Sequence, residues 1–419
     1  MNVLILGSGG REHALAWKIK QSPLLDTLYV APGNAGIAEL AEIAPVDMMD
    51  AEAIANFAEA KKIGFVVVGP EAPLCEGIAD GLRERGIEVF GPSKAAATLE
   101  GSKVYAKEFM MKHGIPTAKY QSFSNSEEAI AALDSFGLPV VIKADGLAAG
   151  KGVIIPSTKE EASLAIRQIM DEKRFGDSGN EIVLEEFLTG IEASQLCFVD
   201  GKRIVPLDSV RDYKRAYDDD KGENTGGMGT FSPNPIINEA MKAHIYEEIL
   251  LPFLKGLQAD GLDYRGLVFV GLMIKDGAAK VIEFNVRFGD PETQSLLPRL
   301  KSDLLELMLK TASQELDSVR LEWDERASVT VIVASGGYPD AYEKGKVISG
   351  LDQVEGVRVF HSASAEQGGA LVTNGGRVLG VNALAPSIEE ARNKVYEELK
   401  KIHFEGAFYR SDIAAKVDF

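Results

Sequence analysis

The chain has 419 residues, 45% hydrophobic and 26% charged, an ordinary composition for a soluble globular protein and a length that excludes one typical domain. With 63 acidic against 45 basic residues the net charge is −18, which disfavours wrapping nucleic acid or lying on an anionic membrane but not a local basic pocket for phosphates. The two cysteines, Cys75 and Cys197, have no C-x-x-C spacing, so neither a zinc site nor a disulfide framework is expected, and a reducing, cytoplasmic setting fits best.

The chain enters a strand at once in NVLILG (2–7), without a charged leader, and no apolar run reaches transmembrane length. REHALAWKIK (11–20) then has helical periodicity. DTLYVAPGN (26–34), FVVVGPEAPL (65–74) and IEVFGPS (87–93) are apolar runs ending in Gly/Pro turns, and AEAIANFAEAKK (51–62) and EGIADGLRERG (76–86) are helical. This alternation predicts a Rossmann-like parallel sheet wrapped by helices over 1–102, with ligands at the carboxyl ends of its strands. GSGGRE (7–12) lies at that edge. It lacks the dinucleotide fingerprint, because Glu12 stands where the last glycine is needed and the second strand ends in Val30-Ala31-Pro32 without an acidic ribose ligand. A phosphate or ribose site and a plain strand-to-helix turn both remain open for it.

One long helix is expected from about Ser93 to His113, stopped by GIPT (114–117). A small α/β unit, about 119–190, follows. Its VVIKADGLAAGKGVII (140–155) is not a P-loop: three residues, not four, separate Gly146 from Gly150, and Gly152 follows Lys151 where a hydroxyl should hold Mg²⁺. The β-branched flanks predict strand, turn, strand. The glycines would let backbone N–H groups converge on an anion, or they simply form a turn. EIVLEEFLTGIEASQLCFVDG (181–201) is another strand–turn–strand, and RDYKRAYDDDKGENTGGMGTFSP (211–233) is a long charged, glycine-rich loop. After helix 238–260 come two apolar strands, LVFVGLMI (267–274) and KVIEFNVRF (280–288). A mixed α+β unit fills 327–419: strand ASVTVIVASGGYP (327–339), a GG-turn hairpin ALVTNGGRVLGVNALA (370–385) and a helix over 387–402. The chain is thus read as multidomain α/β and α+β.

The most specific string is VIEFNVRFGDPETQ (281–294). Side chains alternate along a strand, so Glu283, Asn285 and Arg287 share a face. A carboxylate and an amide oxygen suit Mg²⁺ or Mn²⁺, and an arginine beside them can clamp a carboxylate or phosphoryl group. His113, His244, His361 and His403 have no partner at metal spacing and are expected at the surface or at helix ends. His13, one turn after the GSGG loop, would orient that loop or simply pack, and DDDK (218–221) is expected to be solvated.

Together GSGGREHA (7–14), IKADGLAAGKGV (142–153), LEEFLTGIEAS (184–194), NTGGMGTFSP (224–233), EFNVRFGDPETQ (283–294) and FYRSDI (408–413) resemble the phosphoribosylamine–glycine ligase (glycinamide ribonucleotide synthetase) family of ATP-grasp enzymes, from end to end. The resemblance implies a pre-ATP-grasp domain (1–102), an ATP-grasp domain (103–326) carrying a mobile lid subdomain, and a small mixed C-terminal domain (327–419). It implies a ligase of purine biosynthesis that uses ATP, glycine and phosphoribosylamine, takes no nucleic acid or membrane partner, and is monomeric. Lys103 and Lys143 would contact ATP phosphates. Asp145, Gly146, Gly150, Lys151 and Gly152 would form the lid hairpin, and Glu185, Glu186, Phe187 and Leu188 the adenine hinge. Glu192 would take the ribose hydroxyls. Glu283 and Asn285 would hold the metal, with Arg287, Asp212 and Lys214 catalytic. Gly9, Gly10, Arg11, Glu12, Thr225, Gly226, Gly227, Met228, Gly229, Asp290 and Pro291 would hold the other substrates.

The chain departs from the family pattern at three places. GLVFVGLMIK (266–275) carries no acidic residue, where many ATP-grasp enzymes have another metal carboxylate. RDYKR (211–215) stands where QDHKR is usual, and Glu223 where proline is usual.

Overall fold

The structure, a computed structural model, describes residues 1–147 and 152–417. Its first sheet is parallel, in the order Glu42–Ile43, Leu28–Pro32, Asn2–Gly7, Ile63–Val68, Glu88–Phe90. Val3, Leu4, Ile5 and Leu6 are all fully buried, as expected of a strand covered by helices on both faces. The short edge strand Glu42–Ile43 is exposed, and its brief polar–apolar pattern gives no strand signal.

The long helix expected over 93–113 is two helices, Lys94–Gly101 and Lys103–Lys112. Ser102 breaks it by turning extended and accepting a hydrogen bond from the Tyr105 N–H, as an N-cap does. The expected hairpin forms as Val140–Ala144 against Val153–Ile154, in an antiparallel sheet ordered Tyr120–Phe123, Ile182–Glu186, Val140–Ala144, Val153–Ile154. The tip residues 148–151, and with them Gly150 and Lys151, lie outside the described residues. A third sheet, ordered Ile204–Pro206, Ile191–Val199, Gly266–Lys275, Ala278–Asn285, carries the E-x-N strand.

The segment 211–233 is not an irregular loop. Arg211–Asp212 and Gly229–Ser232 are strands of a five-stranded sheet with Ala327–Ala334, Arg377–Ala385 and Arg358–His361. Gly229–Ser232 escapes an apolar pattern because its inward side chains are hydroxyls. Thr230 Oγ1 lies 2.7 Å from Ser295 Oγ, which lies 2.7 Å from Thr330 Oγ1, which accepts from Asn382 Nδ2 at 3.0 Å. All four residues are buried, so the ladder satisfies its own polar groups where hydrophobic packing would otherwise serve. Nor do residues 370–385 form a hairpin. Ala370–Thr373 pairs with Ser364–Gln367, whereas Arg377–Ala385 joins the five-stranded sheet; the Asn374–Gly376 turn passes the chain between the two sheets, held by Ser335 on the carbonyls of Gly375 and Gly376.

DDDK (218–221) is tied to the C-terminal FYRSDI: Asp218 accepts from the Ser411 N–H at 2.8 Å, and Asp220 pairs with buried Arg410 at 2.9 Å. His361 is buried, contrary to the surface expectation, and His13 does not orient the GSGG loop. His13 Nδ1 accepts from the His361 N–H at 2.8 Å, while the His361 ring bonds Ser364 Oγ at 2.9 Å. Burial, with repulsion from His361, lowers the His13 pKa to about 3, and burial lowers that of His361 to about 4. Both folded values lie below the unfolded 6.5, so the unfolded chain binds more protons and stability is lost as pH falls below 6.5. Between pH 7 and 5 each histidine should cost about 2 kcal/mol, and denaturant titrations of His13→Asn at the two pH values should show a smaller fall than wild type. An equal fall would detach these histidines from the acid sensitivity.

Among the described residues no helix is long and apolar enough to cross a membrane.

Candidate active site

The E-x-N strand is bulged where it matters. Gly271 pairs with Glu283 and Leu272 with Val281, so Ile282 is the extra residue that re-aims the following side chains. The strand ends at Asn285. Arg287, just beyond, donates to Asn285 Oδ1 at 3.2 Å and pairs with Glu100 at 3.0 Å and Glu71 at 3.3 Å. It therefore orients the amide and locks it to the first domain. Burial pushes the Glu100 carboxyl up to about 7 even beside this guanidinium.

Around Glu283 the lysines converge. Burial opposes its charge, but Lys214, Lys143 and Lys103 outweigh that and hold its pKa down at about 2. Lys214 Nζ stands 3.6 Å from Glu283 and 3.5 Å from Glu192. Lys143 Nζ pairs with Glu185 at 2.8 Å and donates to the Ile282 carbonyl at 3.1 Å; Lys107, on the helix behind, takes the other Glu185 oxygen at 2.9 Å. All three members of that triad are buried. Burial lowers the Lys107 pKa to about 8 despite Glu185.

Lys103 Nζ donates to the Gly146 carbonyl at 2.7 Å, reaching the base of the hairpin. Asp145 accepts from Ser102 Oγ at 3.0 Å and from the Val104 N–H at 3.0 Å, so its carboxylate clasps hairpin to helix. Gly146 has φ +97°, and a Cβ there would stand 2.8 Å from Ser178 Oγ. The Gly152 carbonyl accepts from the Ala144 N–H at 2.9 Å and closes the hairpin's far side. Along the expected hinge the Glu186 carboxylate takes the Lys119 N–H at 3.0 Å and Lys280 at 3.1 Å, Leu188 is half-buried, and Phe187 is 41% exposed.

On the opposite wall the GSGG turn is filled by its own glutamate. The Gly9 N–H donates to Glu12 Oε2 at 2.7 Å, and a Cβ on Gly69 would stand 2.2 Å from Glu12 Oε1. An internal carboxylate thus occupies the Gly9 N–H, which an anion bound at this helix N-terminus would need. Gly10 packs under Gln294 and Ser362. Arg11 bridges Glu12 and the Phe288 carbonyl, and its N–H donates to Asp290 Oδ2 at 3.3 Å. Gly227, at φ +114°, lets the chain pass Pro291 Cδ and Asp212 Oδ1, which a Cβ would meet at 2.4 and 2.8 Å. Thr225 Oγ1 donates to the Lys214 carbonyl at 2.8 Å. Met228 is fully buried and Gly229 lies within the sheet against Ile413, so both support the loop from below. Asp212 is half-buried, its enclosed Oδ1 lacks a hydrogen-bond partner, and desolvation together with Glu292 pushes its carboxyl well up.

Several residues here have no signal in the sequence. Arg377 Nη1 donates to the carbonyls of Gly226 (2.7 Å), Gly227 (3.3 Å) and Asp290 (2.7 Å), and Tyr338 Oη accepts from the Gly226 N–H at 3.1 Å. The C-terminal domain therefore sets the NTGGMG loop against the GDPE turn. Glu71 and Glu100 likewise set Arg287. Tyr213 explains the RDYKR departure: its side chain turns into the C-terminal core, and its Oη accepts from the Ala414 N–H at 3.1 Å.

Glu283 and Asn285 offer two hard oxygens. Among the described residues no group of three or more His, Cys, Asp or Glu side chains gathers for a metal, so phosphate oxygens and water would have to complete an octahedral set. Gly271, opposite Glu283, supplies no second carboxylate.

Three family models match in succession: the phosphoribosylglycinamide synthetase N domain over residues 1–100, its ATP-grasp (A) domain over 101–293 and its C domain over 328–416. The chain is 51% identical over 418 residues to the phosphoribosylamine–glycine ligase of Haemophilus influenzae, covering 99% of this chain and 97% of that protein. It is 50% identical over 423 residues to that of Escherichia coli K12, covering 99% and 98%. The crystal structure of the Thermotoga maritima ligase superposes with a TM-score of 0.86 at 39% identity, covering 99% of this chain and all of that one. A Hydrogenobacter thermophilus biotin carboxylase domain, solved with MgADP, shares the fold alone, with a TM-score of 0.74 at 17% identity over 97% of this chain and 91% of that one.

Proposed function

Because the chain belongs to the phosphoribosylglycinamide synthetase family, we propose that the cleft between the hairpin, the Glu283–Asn285 strand and the Arg377-braced loops is where it activates glycine. The chain is an ATP-dependent ligase that joins glycine to 5-phosphoribosylamine in purine biosynthesis. The convergence of Lys103, Lys143 and Lys214 on Glu283 carries the assignment, since a triphosphate needs several cations and a metal needs a carboxylate beside them.

In this reading Lys103, Lys143 and the hairpin, including Gly146, Gly150, Lys151 and Gly152, neutralise the phosphates. Glu185 holds Lys143 in place, and Asp145 anchors the hairpin. Glu186 to Leu188 border the adenine, and Glu192 takes the ribose hydroxyls. Glu283 and Asn285 would hold Mg²⁺ or Mn²⁺, which when bound spreads the phosphate charge. A glycine carboxylate oxygen attacks the γ-phosphorus, the bond to the bridging oxygen breaks, and ADP leaves. The amine of phosphoribosylamine then adds to the glycyl phosphate carbonyl and loses a proton, and phosphate departs with the oxygen that came from glycine. Lys214 would balance charge as it moves from carboxylate to phosphate. Arg11, Asp290, Pro291 and Gly226–Gly227 border the sugar phosphate and glycine. Enclosure protects the acyl phosphate from water.

Release of ADP should require glycine, phosphoribosylamine and a divalent metal together; brisk turnover with another acid and none with glycine would overturn the substrate assignment. Arg377→Gln should raise the KM for glycine or phosphoribosylamine by about tenfold, from roughly 1–3 kcal/mol of lost charge-assisted hydrogen bonds, while the KM for ATP stays put. Equal changes in all three KM values would show only a general loss of structure.

A further inference from the structure

Outside the cleft, where the segment after helix Glu292–Leu296 meets the C-terminal sheet, the surface sinks into a cavity of about 320 Å³. Arg326, Arg358 and Lys394 line it beside Asn382, and none of its lining residues is acidic. That is unusual in a chain of net charge −18, where carboxylates outnumber cations and normally find them.

The cations are held there by structure. Arg358, half-buried, is stacked on the Trp17 ring with its Cζ 3.8 Å from the centroid, and Arg326 is set by Asp324 at 2.6 Å. Gly356, at φ +65°, leaves room for the Lys394 ammonium: a Cβ there would stand 2.8 Å from Nζ. Among the described residues neither Arg358 nor Lys394 has a carboxylate within 4.0 Å, although Arg326 has one. A concave, part-apolar site in which the Arg358 guanidinium and the Lys394 ammonium have no carboxylate within 4.0 Å, beside an Arg326 already held by Asp324, has the chemistry that recognises a tetrahedral oxyanion. Its volume exceeds that of the anion alone, and Val357 and Leu384 offer wall for an attached organic group.

We propose that this cavity is a second anion site, separate from the catalytic cleft, that takes the phosphate group of a small molecule. Trp17 is the built-in reporter, because Arg358 lies on its ring and the only other tryptophan is Trp323. The test uses the full-length Trp323→Phe protein with its cleft saturated by MgADP, titrated at constant ionic strength with inorganic phosphate and, separately, with ribose 5-phosphate. A saturable change in Trp17 emission is expected. Saturation by inorganic phosphate identifies free phosphate as sufficient, and saturation only by the sugar phosphate identifies a monoester. Lys394→Gln should weaken the response at least tenfold and Lys394→Glu should abolish it. Ligase turnover should be unchanged in both, which guards against a folding defect. No saturable change, or one that survives Lys394→Glu, overturns the proposal.

Discussion

Glu283→Gln should lower kcat by about 10³-fold or more while leaving the melting temperature within a few degrees of wild type. The carboxylate is the one acidic group on its strand facing Lys103, Lys143 and Lys214, and those lysines hold its pKa down at about 2. It therefore stays charged throughout the working pH range. Phosphoryl transfer depends on positioned charge more than on a protein nucleophile, so removing a metal carboxylate strikes at the chemical step. Glutamine keeps the side chain's volume on a partly exposed strand end, which limits the structural cost. Steady-state ADP release with calorimetry would check it; a kcat within tenfold of wild type would remove Glu283 from the metal site.

Glu185→Gln should have the largest effect on stability, about 3–5 kcal/mol, because it takes from two buried ammonium groups the carboxylate they share. Lys107, Lys143 and Glu185 are each less than 5% exposed, and both lysines form ion pairs with the one carboxylate, at 2.9 and 2.8 Å. Lys107 is already strained by burial, as its pKa of about 8 records. Adding Lys107→Met to Glu185→Gln should recover part of the loss, since an apolar side chain of similar length needs no partner. Urea titration of the single and double variants measures this. A loss below about 1 kcal/mol for the single variant would mean that water or movement relieves the lysines.

Where one chemical pattern dominated locally, the sequence was legible. The runs at 2–7 and 63–68 are apolar on both faces and could only be covered strands, and the spacing of Glu283 and Asn285 announced a polar strand face. Ser102 hid a helix break because the residues on either side keep helical periodicity, and only its extended backbone ends the first helix. Gly229–Ser232 hid a strand because its buried face is made of hydroxyls. The glycine pair at 375–376 looked like a hairpin turn, yet the strands on its two sides pair elsewhere. The members of the site most easily missed share another property. Arg377 reaches carbonyls 87 to 151 residues away, and Glu71 and Glu100 set an arginine near residue 287. No local pattern carries that information, because it is the fold that creates the contact. Tyr213 shows the converse: it breaks the family motif yet faces the core, so the substitution leaves the cleft's charges untouched.

The central claim is that glycine is activated by phosphorylation before the amide forms. Glycine labelled with ¹⁸O in its carboxylate tests it directly, with ATP, phosphoribosylamine and Mg²⁺ present and the released inorganic phosphate read by mass spectrometry. One labelled oxygen should appear in each phosphate, because the carboxylate oxygen that attacked the γ-phosphorus leaves with it. Phosphate that carries no label while glycinamide ribonucleotide accumulates would contradict the account.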